Sequence, residues 1–214
     1  MQPTIPTSDR ILDAAAEILI SDGVDTLTHG SIASRTGIAR AVVEDQHPTL
    51  ESVFEALLAR EMLEAVTSVS DNVERDPRGG LASRIFSYVI CGIYERPLLR
   101  ALHLMAPGGI AQIVSALDGM GSIPELSIHP QLLPALQHAG MVREDVDAEA
   151  VVALVRSLGY GVSLTAPWAG LDEVCSALAM LLERGVDADV TDTSPGKEVF
   201  RRFAESLVAG ALPR

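Results

Sequence analysis

Cysteine is scarce in this chain. Only Cys91 and Cys175 occur among 214 residues, both within apolar stretches of helical period, so a metal site of thiolate spacing has no basis. Buried free thiols are favoured over a disulfide. Lysine is scarcer still: the sixteen basic residues include a single lysine, Lys197, which suggests a GC-rich genome. Positive charge as a whole is outweighed, leaving a net charge of −13. That balance disfavours a free-standing nucleic-acid binder, because phosphate neutralisation supplies most non-specific affinity. Acid spread over solvated helix faces for solubility accounts for it.

Other absences narrow the field. The opening MQPTIPTSDR lacks the pattern of a secretory signal, so a cytoplasmic protein is expected. The longest apolar run, Val151 to Leu171, is interrupted by Arg156, Gly159, Gly161 and Pro167. A membrane span needs about 20 apolar residues, and a helix buried between subunits explains this run better. No internal repeat, low-complexity tract, glycine-rich phosphate loop, nucleophile elbow or metal-spaced His or Cys cluster occurs. Neither an enzyme nor a cofactor or metal is therefore expected. Glu144, Asp145, Asp147 and Glu149 cluster where a helix starts, and there the helix dipole favours acid.

What is present is helical period along nearly the whole length, with 48% hydrophobic residues, and an all-α protein is expected. Ile11, Leu12, Ala15, Ile18 and Leu19 line one face of a first helix, with Ser8 expected as its cap and Gly23 as the left-handed residue after it. A long helix from Thr49 turns Val53, Leu57, Ala65, Val66, Val69 and Val73 inward, and DPRGG at 76–80 breaks it. A helix from Leu81 to about Glu95 follows, then shorter helical stretches at 97–106, 110–117 and 131–138. Helices at 148–164 and 171–184 are apolar around more than one face, and such helices must be covered on two sides. A four-helix interface between two copies is expected there, from Val151, Val152, Val155 and Leu158 with Val174, Leu178, Leu181 and Leu182. A polar linker at 187–195 leads to a last helix carrying Val199, Phe200, Phe203 and Leu207.

The most informative stretch is THGSIASRTGIARAVVEDQ, Thr28 to Gln46. Thr28 is a good N-cap, Ile32 and Ala33 face inward, Gly37 tolerates the positive φ of a tight turn, and Ile38 and Val43 seal the pair. This is helix-turn-helix spacing, a unit that normally lays its second helix in the major groove of DNA. Together with RILDAAAEIL, the Gly23 turn, Leu27-Thr28 and Pro48-Thr49, it resembles the DNA-binding domain of the TetR family of bacterial regulators, from Arg10 to about Glu61. The remainder is similar to that family's ligand-binding and dimerisation domain in layout, with a local echo at 135–150.

The resemblance implies a helix-turn-helix domain at 1–48 and a helical effector-binding and dimerisation domain at 49–214. It places Thr28, His29, Arg35, Arg40, Ala41, Gln46, His47 and Thr49 at double-stranded DNA, where a glutamine can read adenine. It surrounds a small apolar effector with Phe86, Tyr88, Cys91, Tyr94, His103, Met105, Met120 and Trp168, a set of aromatic and Met side chains with a few polar tips that suits an apolar cavity. The implied function is a homodimeric repressor released from a palindromic operator by that effector.

The sequence departs from the family's pattern at the contact positions. Ala39 replaces the usual Ser or Thr cap, and Glu44, Gln46, His47 and Leu50 replace Tyr, His, Phe and Lys. Residues 1–60 hold four arginines against nine acids, a net charge of −5. A TetR-like small-molecule or protein-partner module without DNA recognition is the alternative.

Overall fold

The computed structural model describes residues 7–99, 129–165 and 171–211, and those residues are helical with short connections. They divide into two compact units, one holding residues 7–62 and 97–99, the other 63–96 and the described residues from 129 onward.

The first unit begins with α1 (Thr7–Ser21), whose Ile11, Leu12, Ala14, Ala15, Ile18 and Leu19 are buried. Ser8 lies inside this helix rather than capping it. Gly23 has φ 85 and ψ 170, a positive φ without the left-handed ψ that was expected, and the chain passes into a 3-10 turn at Val24–Thr26. Helices α2 (His29–Thr36) and α3 (Arg40–Gln46) follow. Helix α4 (Leu50–Arg75) then runs on, with Val53, Phe54 and Leu57 at most 1% exposed in its first half.

The second unit takes the C-terminal part of α4 with α5 (Ala82–Glu95), α6 (Leu132–His138), α7 (Ala148–Thr165), α8 (Leu171–Gly185) and α9 (Ser194–Ala211). Its apolar core joins Val69 and Val73 to Ile85 and Phe86, Leu133 and Leu136, Val152 and Val155, Leu178 and Phe200. Among the described residues α5 with α8 is the most extensive helix pairing. Asp147 starts α7 as the charge pattern suggests, its Oδ1 accepting the N–H of Ala150 at 3.0 Å.

The expected polar linker at 187–195 is the main surprise, because Asp187 and Thr193 are 7% and 3% exposed. Helix α5 explains the aspartate. Its N-terminal neighbour Leu81 is fully buried and offers no side-chain cap, and buried amides in a first helical turn need acceptors. Asp187 supplies them from 104 residues away: Ser83 N–H donates to Oδ1 at 3.0 Å and Ser83 Oγ donates to Oδ2 at 2.5 Å. Burial raises the carboxyl pKa in spite of both bonds. Asp187 is held by an antiparallel bridge to Val142, flanked by Arg143 N–H to Val186 O and Ala188 N–H to Met141 O, each 3.0 Å.

Thr193 donates its hydroxyl to Pro77 O at 2.9 Å. Beside it two backbone segments touch, and a Cβ added to Gly80 would lie 1.9 Å from Thr193 O, as would one on Gly196 from Gly80 O. Only hydrogen fits at either position. The C-terminal end of α4 is tied to α9 by Lys197 Nζ donating to Glu74 O at 2.8 Å and by Arg201 pairing with Glu74 at 2.7 Å.

Asp187→Ala leaves the Ser83 amide and hydroxyl buried without an acceptor and is expected to cost about 1–3 kcal/mol. Asp187→Asn keeps an acceptor for the amide and removes a buried charge, so its loss is smaller. Chemical denaturation of the two variants beside the parent checks the order.

Candidate nucleic-acid interface

Local sequence builds this site almost completely. The Thr28 side chain accepts the Ser31 N–H at 2.9 Å while Ser31 Oγ accepts the Thr28 N–H at 2.9 Å, a reciprocal cap that starts α2. Gly37 ends α2 at φ 69 and ψ 11, its N–H donating to Ala33 O. That left-handed conformation is costly for a residue with a Cβ and routine for glycine. Val43, fully buried, pins α3, with Ile38 half-buried in the turn before it. Ala39 occupies the N-cap of α3 and makes no side-chain bond, as its methyl group requires.

Ala39, Arg40, Ala41, Asp45 and Gln46 are left exposed on α3, together with Val42 at 41%. Thr28 and Thr49 also stand at the surface, and Thr49 Oγ1 accepts the Ser52 N–H at 3.2 Å to start α4.

The remaining residues placed at DNA are engaged elsewhere. His47 is 8% exposed rather than on the outer face. The chain leaves α3 there in extended conformation, and the His47 carbonyl accepts from His29 Nε2 at 2.8 Å, which fixes a proton on that nitrogen. Burial lowers the pKa of His47, with the charge of His29 acting in the same direction and a bond to Ser52 opposing.

Both motif arginines face acids. Arg35 pairs with Asp22 at 2.8 Å and approaches Glu17 at 3.8 Å, which draws it back toward α1. Arg40 Nε donates to Glu44 Oε1 at 2.7 Å, one turn along α3. The Arg40–Glu44 spacing of four residues is legible in sequence; the Asp22–Arg35 pair, across a turn and a helix, is not. Beside that pair lies an open cleft of about 220 Å³ lined by Ile18, Asp22, Thr26, Ser31, Ser34 and Arg35. It is smaller than ordinary small-molecule sites, which begin near 300 Å³.

In the second unit Phe86 is 1% exposed within the core, the Tyr88 hydroxyl donates to Asp76 at 2.8 Å, and Cys91 packs against the core. The Tyr94 side chain, His103, Met105, Met120 and Trp168 lie outside the described residues. Of the residues expected between two copies, Val152, Val155, Leu178 and Leu182 are 2–8% exposed and belong to the chain's own core. Val151, Leu158 and Val174 are half-buried. The outward apolar side chains are Leu154, Leu181 and Met180, at 68%, 64% and 45% exposure. Both helices are apolar on two sides, and period alone does not say which side turns in.

Neither a family model nor a curated protein sequence matches the chain. Solved structures do. A protein whose structure concerns the control of antibiotic production by bacterial hormones is 20% identical, with 86% of this chain and 100% of that one covered and a TM-score of 0.63. A protein from Shewanella sp. PV-4 named as a TetR-family transcription regulator is 17% identical over 86% and 99% of the two chains, with a TM-score of 0.54. The chain has the TetR fold. A transcriptional regulator from Saccharomonospora viridis, in complex with choline, is 18% identical over 84% and 97%, with a TM-score of 0.57. Within the described part of this TetR fold no helix is long and apolar enough to cross a membrane.

The His47 environment gives the first unit a pH dependence. With its pKa below the ordinary 6.5, the folded state binds a proton less readily than the unfolded chain. Stability is then full above about pH 6.5 and declines as pH falls toward the folded pKa. Hydrogen exchange of α2 and α3 amides at about pH 7.5 and about pH 5.5 is expected to show faster opening in acid, with a smaller change in His47→Gln.

Proposed function

We propose that this chain is a homodimeric, effector-responsive transcriptional regulator that binds double-stranded DNA through α2 and α3. The observation that carries the reading is the intact two-helix unit: a capped α2, a left-handed Gly37 and a buried Val43 leave one face of α3 outward at the size a major groove accepts. Gln46, Arg40, Ala41, Thr28 and Thr49 are the contacts it offers. The TetR fold of the whole described chain supports the same reading.

Two copies would meet through the outward side of α7 and α8, where Leu154, Met180 and Leu181 accompany the exposed Ala150, Ala153 and Ala177. Such a pairing sets two α3 helices on successive half-sites of a palindromic operator, in the cytoplasm. A small, largely apolar effector in the second unit then acts by linkage: it releases DNA only as far as it binds the unbound conformation better. The effector-binding residues would be Phe86, Tyr88, Cys91 and Tyr94 with His103, Met105, Met120 and Trp168. Repression is the default action of such a device at an operator.

Charge sets the affinity. Arg40 must leave Glu44 to reach a phosphate, and the exposed pair between them is worth only about 0.3–0.5 kcal/mol, so the exchange is feasible near DNA. Glu44→Gln frees Arg40 and removes a repelling charge, and is expected to tighten binding to the chain's own promoter about tenfold at low salt, with the gain shrinking as salt rises. Arg40→Ala is expected to weaken it. Fluorescence anisotropy across a salt series checks both. If neither the parent nor Glu44→Gln retains any duplex from a random-sequence selection, DNA recognition is lost. The second reading, a TetR-like small-molecule or protein-partner module, is favoured by one observation, the pairing of Arg35 and Arg40 with Asp22 and Glu44.

The dimer has its own test. Leu181→Glu places a charge at the centre of the proposed interface and is expected to convert the dimer to a monomer by light scattering, with melting temperature unchanged at high protein dilution. A variant that remains dimeric places the interface elsewhere.

A further inference from the structure

Arg40 is the one basic residue of α3, and it does not stand on the outermost row of that helix. Along RAVVEDQ, residues four apart lie over one another, which gives three rows: Arg40 with Glu44, Ala41 with Asp45, and Val42 with Gln46. Val43 is fully buried and fixes which way the helix is turned. The row of Ala41 and Asp45 lies farthest from it, and both residues are exposed. Along one side of that row run Val42, at 41% exposure, and the exposed Gln46. Along the other side runs Arg40, its Nε bonded to Glu44 at 2.7 Å.

These rows limit what the helix can recognise. Guanine is read most often by an arginine or lysine that bonds O6 and N7 together, and neither the outermost row nor the Val42 side carries one. Asp45 repels phosphate, so its row suits the floor of the groove, where a carboxylate can accept only from an exocyclic amine. What remains for base edges is the methyl group of Ala41, the two methyl groups of Val42 and the Gln46 amide. Methyl side chains suit the C5-methyl group that thymine alone carries into the major groove, and the amide suits adenine N6 and N7. Val42 and Gln46 are separated by a rise of about 6 Å, close to two base-pair steps of about 3.4 Å. The family resemblance places Ala41 and Gln46 at DNA and leaves Val42 out.

Resting on the DNA-binding reading above, we infer that Ala41 and Val42 select thymine by its methyl group, beside an adenine held by Gln46. The half-site under α3 is then rich in A·T pairs and is recognised without an arginine on guanine. Val42 is a specificity-determining residue, and Arg40 on the far side of the helix serves the phosphate backbone.

The test uses the full chain and the duplexes it retains in a random-sequence selection. In the tightest of them each thymine is replaced singly by deoxyuridine, which removes the C5-methyl group and leaves the pairing edge intact. At two or more positions of each half-site the replacement should weaken binding about fourfold in fluorescence anisotropy, the fold-change of roughly one buried methyl group. That loss should stay constant across a salt series, unlike the loss of a phosphate contact. Val42→Ala should abolish it at one such position and leave the others, and Gln46→Ala should relax the preference for adenine about two steps away. Both side chains are exposed, and an unchanged melting temperature checks that the variants fold; the deoxyuridine series on the parent protein needs neither. Retained duplexes that bind equally well with deoxyuridine, or that require guanine at the steps facing Val42 and Gln46, overturn this inference and leave the DNA-binding reading standing. A selection that retains no duplex overturns both.

Discussion

Helix ends that cannot reach water must find their partners inside the protein, and the second unit is arranged around one such end. Helix α5 begins in the core with a leucine where a cap would stand, and Asp187 crosses from the α8–α9 connection to satisfy Ser83. To bring Asp187 there, residues 141–143 and 186–188 pair as a short antiparallel ladder. The close approach of Gly80, Thr193 and Gly196 then sets the start of α9 beside the turn that precedes α5. A single buried carboxylate therefore links the start of α5 to the connection between α8 and α9. The first unit meets the same demand locally, with Thr28 and Thr49 each capping the helix that follows it.

Charge works differently from packing here. The apolar and glycine positions of the helix-turn-helix unit are all filled by residues that suit it, so the backbone is well specified in an acidic environment. The same acids sit beside the two arginines of the motif. Arg35 is turned toward Asp22 and Arg40 toward Glu44, so binding to a polyanion would begin with the exchange of a carboxylate for a phosphate. Exposed pairs of this kind are weak and salt-sensitive. They tune a site of this type and leave its architecture unchanged.

What could be read from the sequence follows from how far apart the interacting residues lie. The Thr28 cap, the Gly37 turn and the start of α7 at Asp147 involve partners within five residues, and pattern alone pointed to them. Asp187 looked like part of a solvated linker because its partner lies 104 residues earlier. His47 looked like a surface contact because nothing adjacent in the chain shows that α3 ends by turning it inward. On α7 and α8 the helical period identified two apolar faces and left open which faces the core; Leu154 and Leu181 point out where Val155 and Leu182 point in.

The same separation in sequence governs the order in which the molecule can assemble. Arg10 reaches Thr36, 26 residues on, and Arg60 reaches Asp9, 51 residues back, so much of the first unit's bonding is available once about a third of the chain has left the ribosome. The start of α5 has no such option, since its acceptor is not yet synthesised. Until residue 187 emerges, α5 carries an unsatisfied apolar-flanked terminus, and contacts closed over so long a loop form slowly. During synthesis the helix-turn-helix unit therefore precedes the body that is proposed to control it.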